Sequence, residues 1–302
     1  MEENMATGAE RVKKMRVRCL SEVSWKDDAR MRLDVRESGG LGSDQYDVRW
    51  TEGNAAGVMN LVEITDGAGA DRKILVDVGW DHAYVGEVLK REGVDEMLRN
   101  GEIDMVYITH EHVDHFFALG TVAGLNPGVP VVIPEGFTEK GRRMIAESGL
   151  SREARVLPPG KKHELFPGVY SATFDVPIFL KVRNEQVLYV DVEGKGIVTV
   201  IGCSHPGIID ILEYGRKEFP GRKVYGVYGG LHICPFDEWE AEHDTLIGKL
   251  KGYGVELYAC NHCTGAVTVQ KMKEAGLNVH PGTGRFGTKT RDYVGCGDAV
   301  EF

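Results

Sequence analysis

Seven residues, THEHVDH at positions 109–115, follow directly on an apolar run, IDMVYIT (103–109). A run of that length bounded by polar residues reads as a buried strand. Side chains two apart in an extended chain point the same way, so His110 and His112 can approach one cation together. Asp114 and His115 open the next helix and face the same cavity from its edge. Imidazole suits zinc and iron, and a carboxylate adds a hard, charged donor. The pattern is not the HExxH of zincins, because Asp114 stands where that motif has its second histidine.

Around this segment, strands and helices alternate. GVMNLVEI (57–64) and KILVDVG (73–79), separated by DGAGAD, predict a hairpin or neighbouring strands. Residues 83–100 carry a helical pattern interrupted at Gly93. VPVVIP (129–134) reads as a strand and EKGRRMIAESG (139–149) as an amphipathic helix. Further strands are expected at 169–174, 185–192, 196–202, 223–230 and 255–260. A helix is expected over 205–219, with Pro206 near its first position, and another over 265–276, ending at Gly276. MRVRCL (15–20) is a short strand. Residues 1–14 read as a loose tail and the polar, Gly-rich residues 24–54 as a surface loop or insertion. His163 falls in a polar turn. No Pro- or Ser-rich linker divides the chain, which predicts one domain over residues 1–302.

Charge narrows the partners. The 302 residues hold 36 Lys+Arg against 46 Asp+Glu, a formal net charge of −10. Phosphate backbones require a basic face, so nucleic acid is excluded as an expected partner. No stretch reaches the roughly 18 apolar residues of a membrane span, and MEENMATGAERVKKMR lacks the apolar core of a signal peptide. A cytoplasmic protein with a small-molecule substrate and no membrane partner is expected, and a homo-oligomer is compatible with this. Six cysteines are too sparse for a disulfide scaffold and read as thiols or metal ligands.

Three more places carry chemistry, and a fourth only spells a motif. Cys203 and His205 follow the strand VTVIG, with His205 a ligand or substrate contact ahead of the next helix. His232 lies in a Gly-rich loop, where Gly229 and Gly230 allow close backbone approach. YACNHCTG (258–265) sets His262 between Cys260 and Cys263; no second CxxC pair exists to complete a separate zinc knuckle, so these two read as thiols beside the main site. PGTGRFG (281–287) spells GxGxxG but lacks the βαβ unit of a dinucleotide site.

HxHxDH after a strand resembles the motif of the metallo-β-lactamase superfamily. GCSHPGI (202–208), GGLH (229–232) and HCTG (262–265) resemble one branch of it, which includes dihydropterin ribofuranosylaminobenzene phosphate synthase-like proteins. The resemblance covers roughly residues 57–284. It implies an α/β, four-layer αββα sandwich with metals at one edge between two sheets. It makes Asp77 the outer carboxylate that orients a ligating histidine, and His262 the final histidine ligand. Cys203 stands where many members carry a bridging aspartate, and a thiolate can replace it. The separate middle histidine of the superfamily has no clear counterpart; His163 comes too early, and Asp175 is the better placed candidate ligand or substrate contact. The implied metal set is His110, His112, Asp114, His115, Cys203, His205 and His262, with Asp114 and His232 catalytic and Cys263 a further candidate contact. The implied cofactor is one or two divalent ions, zinc foremost, with iron or manganese as alternatives.

The implied activity is a metal-dependent hydrolase that directs an activated hydroxide at a small ester, lactone or phosphate. One alternative is a pterin-type synthase; another is a non-catalytic metal-binding or thiol redox-sensing protein. An anionic substrate would draw on cations such as Lys181, Arg183 or Arg285.

Overall fold

Apolar side chains on both faces of a strand require cover on both sides. Ile74, Leu75 and Val76 are all buried, as is every residue of the segment Gly196–Ile201. The computed structural model describes residues 10–236 and 238–302 and shows how that cover is provided.

The first sheet begins with β1 (Lys14–Ser21), β2 (Met59–Thr65) and β3 (Asp71–Val76), paired antiparallel. It continues through β4 (Met105–Tyr107), β5 (Val131–Pro134) and β6 (Arg155–Leu157), added in parallel. The second sheet contains β7 (Lys162–Phe166), β8 (Val169–Pro177), β9 (Arg183–Val192), β10 (Gly196–Ile201), β11 (Val224–Gly229) and β12 (Leu257–Cys260). Its order is β12-β11-β10-β9-β8-β7, antiparallel from β7 to β10 and parallel from β10 to β12. β13 (Ala299–Glu301) returns to the first sheet, whose order is β13-β1-β2-β3-β4-β5-β6.

The period of two sorts the core into layers. Val62, Ile74 and Val76 of one sheet meet Leu188, Val190, Val198 and Val200 of the other in a single cluster. Two buried hydroxyl contacts cross this layer, Tyr107 Oη to Ser171 Oγ at 2.7 Å and Tyr228 Oη to Asn60 Oδ1 at 2.7 Å. The alternate residues Leu61, Leu75 and Val106 face outward, against α2 (His82–Arg91), α3 (Val94–Arg99), α5 (Leu119–Leu125) and α6 (Glu139–Glu147). Val187, Ile197 and Ile201 do the same against α7 (Ile208–Glu218), α8 (Ala241–Gly252) and α9 (Ala266–Glu274). The result is the four-layer αββα sandwich. Two helices stand apart: α1 (Asp28–Glu37), and the single turn α4 (Val113–Phe116) that carries Asp114 and His115.

Several local expectations are corrected. Residues 24–54 are not a plain loop, because they contain α1, N-capped by Asp27, whose carboxylate accepts from Arg30 N at 3.0 Å. Of the expected tail, residues 1–9 lie outside the described residues; Val12 is buried and bridges Val192, and β1 starts at Lys14. His163 belongs to strand β7. Pro206 precedes the N-cap Gly207 instead of opening α7. Among the described residues, no helix is long and apolar enough to cross a membrane.

The site follows from strand direction. β3 and β4 run parallel, as do β10, β11 and β12. The loops leaving the carboxyl ends of these five strands bear Asp77, residues 109–115, Cys203–His205, His232 and His262.

Candidate metal centre

The cluster is built from five strand ends and clamped from outside. The turn after β4 projects His110 and His112 inward and Glu111 outward. Glu111 accepts from Tyr46 Oη at 2.7 Å and Thr138 N at 2.6 Å. Gln45 spans the turn, donating to Glu111 O at 2.8 Å and accepting from Val113 N at 3.0 Å. The segment expected to be a surface loop therefore holds the histidine turn in shape.

Inward-facing nitrogens and sulfur crowd together. His110 Nε2 lies 3.0 Å from His112 Nδ1. His115 Nε2 is 3.5 Å and His262 Nε2 3.9 Å from Asp114 Oδ2. Cys203 Sγ is 3.4 Å from His115 Nε2 and 3.2 Å from His262 Nε2. Four groups could each hold an ion: His110–His112–His205, Asp114–His115–His262, His110–His115–Cys203 and Cys203–His232–Cys263. His205, arriving from the loop after β10, joins His110 and His112 where the sequence offers no separate middle histidine.

The outer nitrogens of His110, His112, His115 and His262 are anchored. His115 Nδ1 meets Asp77 Oδ2 at 2.7 Å. Thr109 Oγ1 commits its proton to Asp77, so it accepts from His110 Nδ1, 3.0 Å away. His112 Nε2 donates to Phe179 O at 3.2 Å, and His262 Nδ1 to Glu22 O at 3.2 Å. With these tautomers, His110 Nε2 and His112 Nδ1 present lone pairs to each other. Two lone pairs repel unless a cation lies between them, and two nitrogens sharing zinc at about 2.0–2.1 Å stand roughly 3.3 Å apart. His205 Nε2 and His232 Nδ1 are likewise buried with no partner. The residues present fit a divalent ion of nitrogen, oxygen and sulfur preference.

Electrostatics agree with this. Burial, then the neighbouring His115 and His112, hold His110 well below its ordinary pKa, and burial takes His112 down to about 4. Both are neutral at pH 7, as ligands must be. Burial pulls His115 down too, but Asp114 and Asp77 more than offset it and hold it up at about 9. Burial opposes ionisation of Asp114, yet His115, His262 and His112 keep it below the usual carboxylate range.

Tight backbone packing explains the motifs. A Cβ on Gly202 would meet Thr109 Oγ1 at 2.4 Å, and one on Gly230 would meet Cys263 Sγ at 2.5 Å. Asp77, Ser204, His232 and His262 adopt left-handed backbone with φ of 59°, 59°, 47° and 51°. Such strain is held where surrounding contacts over-determine it.

Glu185 is the residue the sequence reading missed. It sits inside β9, fully buried, and accepts from Cys203 N (2.8 Å), Ser204 N (3.0 Å) and His205 N (2.7 Å). Burial pushes its carboxyl up to about 7, against the pull of those amides. Glu185→Gln places an NH2 group where an amide needs an acceptor. A loss of about 1–3 kcal/mol in unfolding free energy is expected, read by denaturant titration with and without added zinc; unchanged stability would show that the carboxylate does not hold the loop.

Other expectations shift. Asp175 is not brought into the cluster: it is exposed and takes two bonds from Arg183, at 2.7 and 2.9 Å. Cys260 packs in the outer core beneath α7–α9, whereas Cys263 faces the cluster. The cluster forms the base of a cavity of about 470 Å³; Arg32, Arg36 and Lys289 line it, and Lys181, Arg183 and Arg285 do not.

A family model described as Metallo-beta-lactamase superfamily matches residues 57–218. The chain belongs to the metallo-β-lactamase superfamily. It is similar to the 7,8-dihydropterin-6-methyl-4-(beta-D-ribofuranosyl)-aminobenzene-5'-phosphate synthase of Methanocaldococcus jannaschii, 27% identical in an alignment 222 residues long that covers 60% of this chain and 74% of that one. The solved structure of Tm1679, described as a metal-dependent hydrolase of the beta-lactamase superfamily, superposes with a TM-score of 0.57 at 20% identity, covering 95% of this chain and 99% of that one. The metallo-beta-lactamase fold protein YhfI from Bacillus subtilis gives 0.55 at 12% identity, covering 96% and 100%. Both structures speak for the fold. His232 and His262 lie beyond the residues matched by the family model.

Proposed function

We propose that the protein is a metal-dependent hydrolase acting on a small ester, lactone or phosphate, with one or two divalent ions, zinc foremost, held by His110, His112, Asp114, His115, Cys203, His205 and His262. One observation carries this reading: His110 and His112, their outer nitrogens anchored, turn free lone pairs on one another at the base of a cavity. A divalent ion there supplies a Lewis acid for the substrate oxygen and acidifies water to a pKa of about 7. Asp114, ionised and steadied by Ser24 Oγ at 2.6 Å, accepts a proton at Oδ2. His232 serves as the donor to the leaving group. Burial lowers its pKa, but Cys263, Glu185 and Asp114 reverse this and raise it, so it holds a proton more readily than an ordinary histidine. A panel of esters, lactones and phosphates, assayed with metal restored after chelation, tests the proposal; no turnover on any member would sink it.

A pterin-type synthase is the second reading, favoured by the 27% identity to the archaeal synthase. The pair of thiols Cys203 and Cys263 favours the third, a metal-binding or redox-sensing protein without turnover. Thiol oxidation that changes metal content, with no turnover on the panel, would select it.

Proton release tests the ligation by Cys203. Burial and Cys263 keep its thiol protonated far above the usual range, and His115 keeps its proton up to about 9. Ligands must shed protons to bind. Apparent zinc affinity should therefore rise with pH through about 9, where His115 is half deprotonated, and go on rising above it while the Cys203 thiol still has a proton to shed. Calorimetry in buffers of different ionisation enthalpy should find one proton fewer released per ion in Cys203→Ser; equal release would remove Cys203 from the set.

A further inference from the structure

α1 turns a single face to the cavity. Asp28, Met31, Arg32, Val35 and Arg36 all line it, a spacing that makes one stripe along a helix. Such a stripe usually carries apolar side chains, yet three of these five are charged. Two of the charges are met within the protein: Asp28 pairs with Lys289 at 2.5 Å, and Arg32 pairs with Glu238 at 2.6 Å while lying over the Phe236 ring. Arg36 is exposed and has no acidic side-chain partner among the described residues. The cavity walls are aromatic, with Trp25 and Trp50 tilted against each other at 5.9 Å and Phe179 beside His112. At the rim stand Leu41 and Phe236, 63% and 41% exposed, two of the three large apolar side chains that are exposed among the described residues.

Exposed apolar groups beside an apolar cavity mark a ligand surface. An unpaired guanidinium on the same wall selects an oxyanion, the more so in a chain of net charge −10. We infer that the substrate is an amphipathic anion: an apolar body of ring size or larger lies among Trp25, Trp50 and Phe179, and its carboxylate or phosphate is received by Arg36. This inference rests on the reading above, that the cavity over the histidine cluster is the active site.

The test is equilibrium binding to the metal-loaded protein, followed by tryptophan fluorescence. The probes are 2-naphthoate, 2-naphthylphosphonate, neutral 2-naphthamide and acetate. At least one naphthyl anion should bind about tenfold more tightly than naphthamide, as one charge-assisted hydrogen bond provides. Arg36→Ala should abolish that margin, and Arg36→Lys should restore most of it. Acetate, which lacks the apolar body, should bind more weakly than either naphthyl anion. Naphthamide binding as tightly as both anions, Arg36→Ala binding them like the wild type, or acetate matching them would each overturn the inference. Hydrolysis of the ester, lactone and phosphate panel is scored separately. Arg36-dependent binding without turnover keeps this inference and removes the hydrolase reading; turnover with Arg36-independent binding does the reverse.

Discussion

Metal content and turnover are expected to fall together when His110 or Asp114 is replaced by alanine. His110 Nε2 belongs to two of the four candidate groups, and Asp114 is the carboxylate shared by His115 and His262. Removing an outer partner of a ligand costs about 10–100-fold in metal affinity, so removing the ligand itself should cost more than about 100-fold. Turnover should drop at least as far. Element analysis after identical purification checks the first half, and rates at fixed added zinc check the second. Circular dichroism separates loss of metal from loss of fold. Full metal content in both variants would refute the roles assigned to these two residues.

Asp77 should matter almost as much although it faces away from the cluster. Its carboxylate takes His115 Nδ1 at 2.7 Å, Thr109 N at 2.7 Å and Thr109 Oγ1 at 2.9 Å, all buried. Through Thr109 it also sets the His110 tautomer. Asparagine tolerates the left-handed backbone that Asp77 adopts, so Asp77→Asn isolates the charge. Its amide must turn a donor toward a group that is itself donating. Metal affinity should fall by about 10–100-fold. Asp77→Ala adds an uncompensated buried His115 and should lose about 3–5 kcal/mol of stability as well. Chelator competition and thermal melts read the two effects; an Asp77→Asn protein with wild-type zinc affinity would show that His115 needs no such support.

The legible parts of this chain were those in which one local pattern decides the outcome. HxHxDH after an apolar run announced the cluster because strand periodicity and helix onset together aim its side chains. The buried strands read clearly, since KILV and GIVTVI are apolar at nearly every position. α8 was missed because little of it is buried, Ile247 and Leu250 alone. β7 was missed because none of its five residues is fully buried, so its pattern does not alternate. Glu185 left no trace in sequence: a single carboxylate inside a strand acquires meaning only when the loop after β10 folds onto it. The same holds for Gln45 and Tyr46, whose contacts with the histidine turn span 66 and 65 residues. Asp175 was misjudged because position along the chain cannot reveal that Arg183 faces it across a turn.

The central claim is that this constellation binds a divalent cation. Element analysis of protein purified without chelator or added metal tests it most directly. One or two equivalents of zinc, iron or manganese per chain are predicted, removable by chelation and restored on reloading. A folded preparation that carries no such ion, and takes up none at micromolar zinc, would contradict the claim.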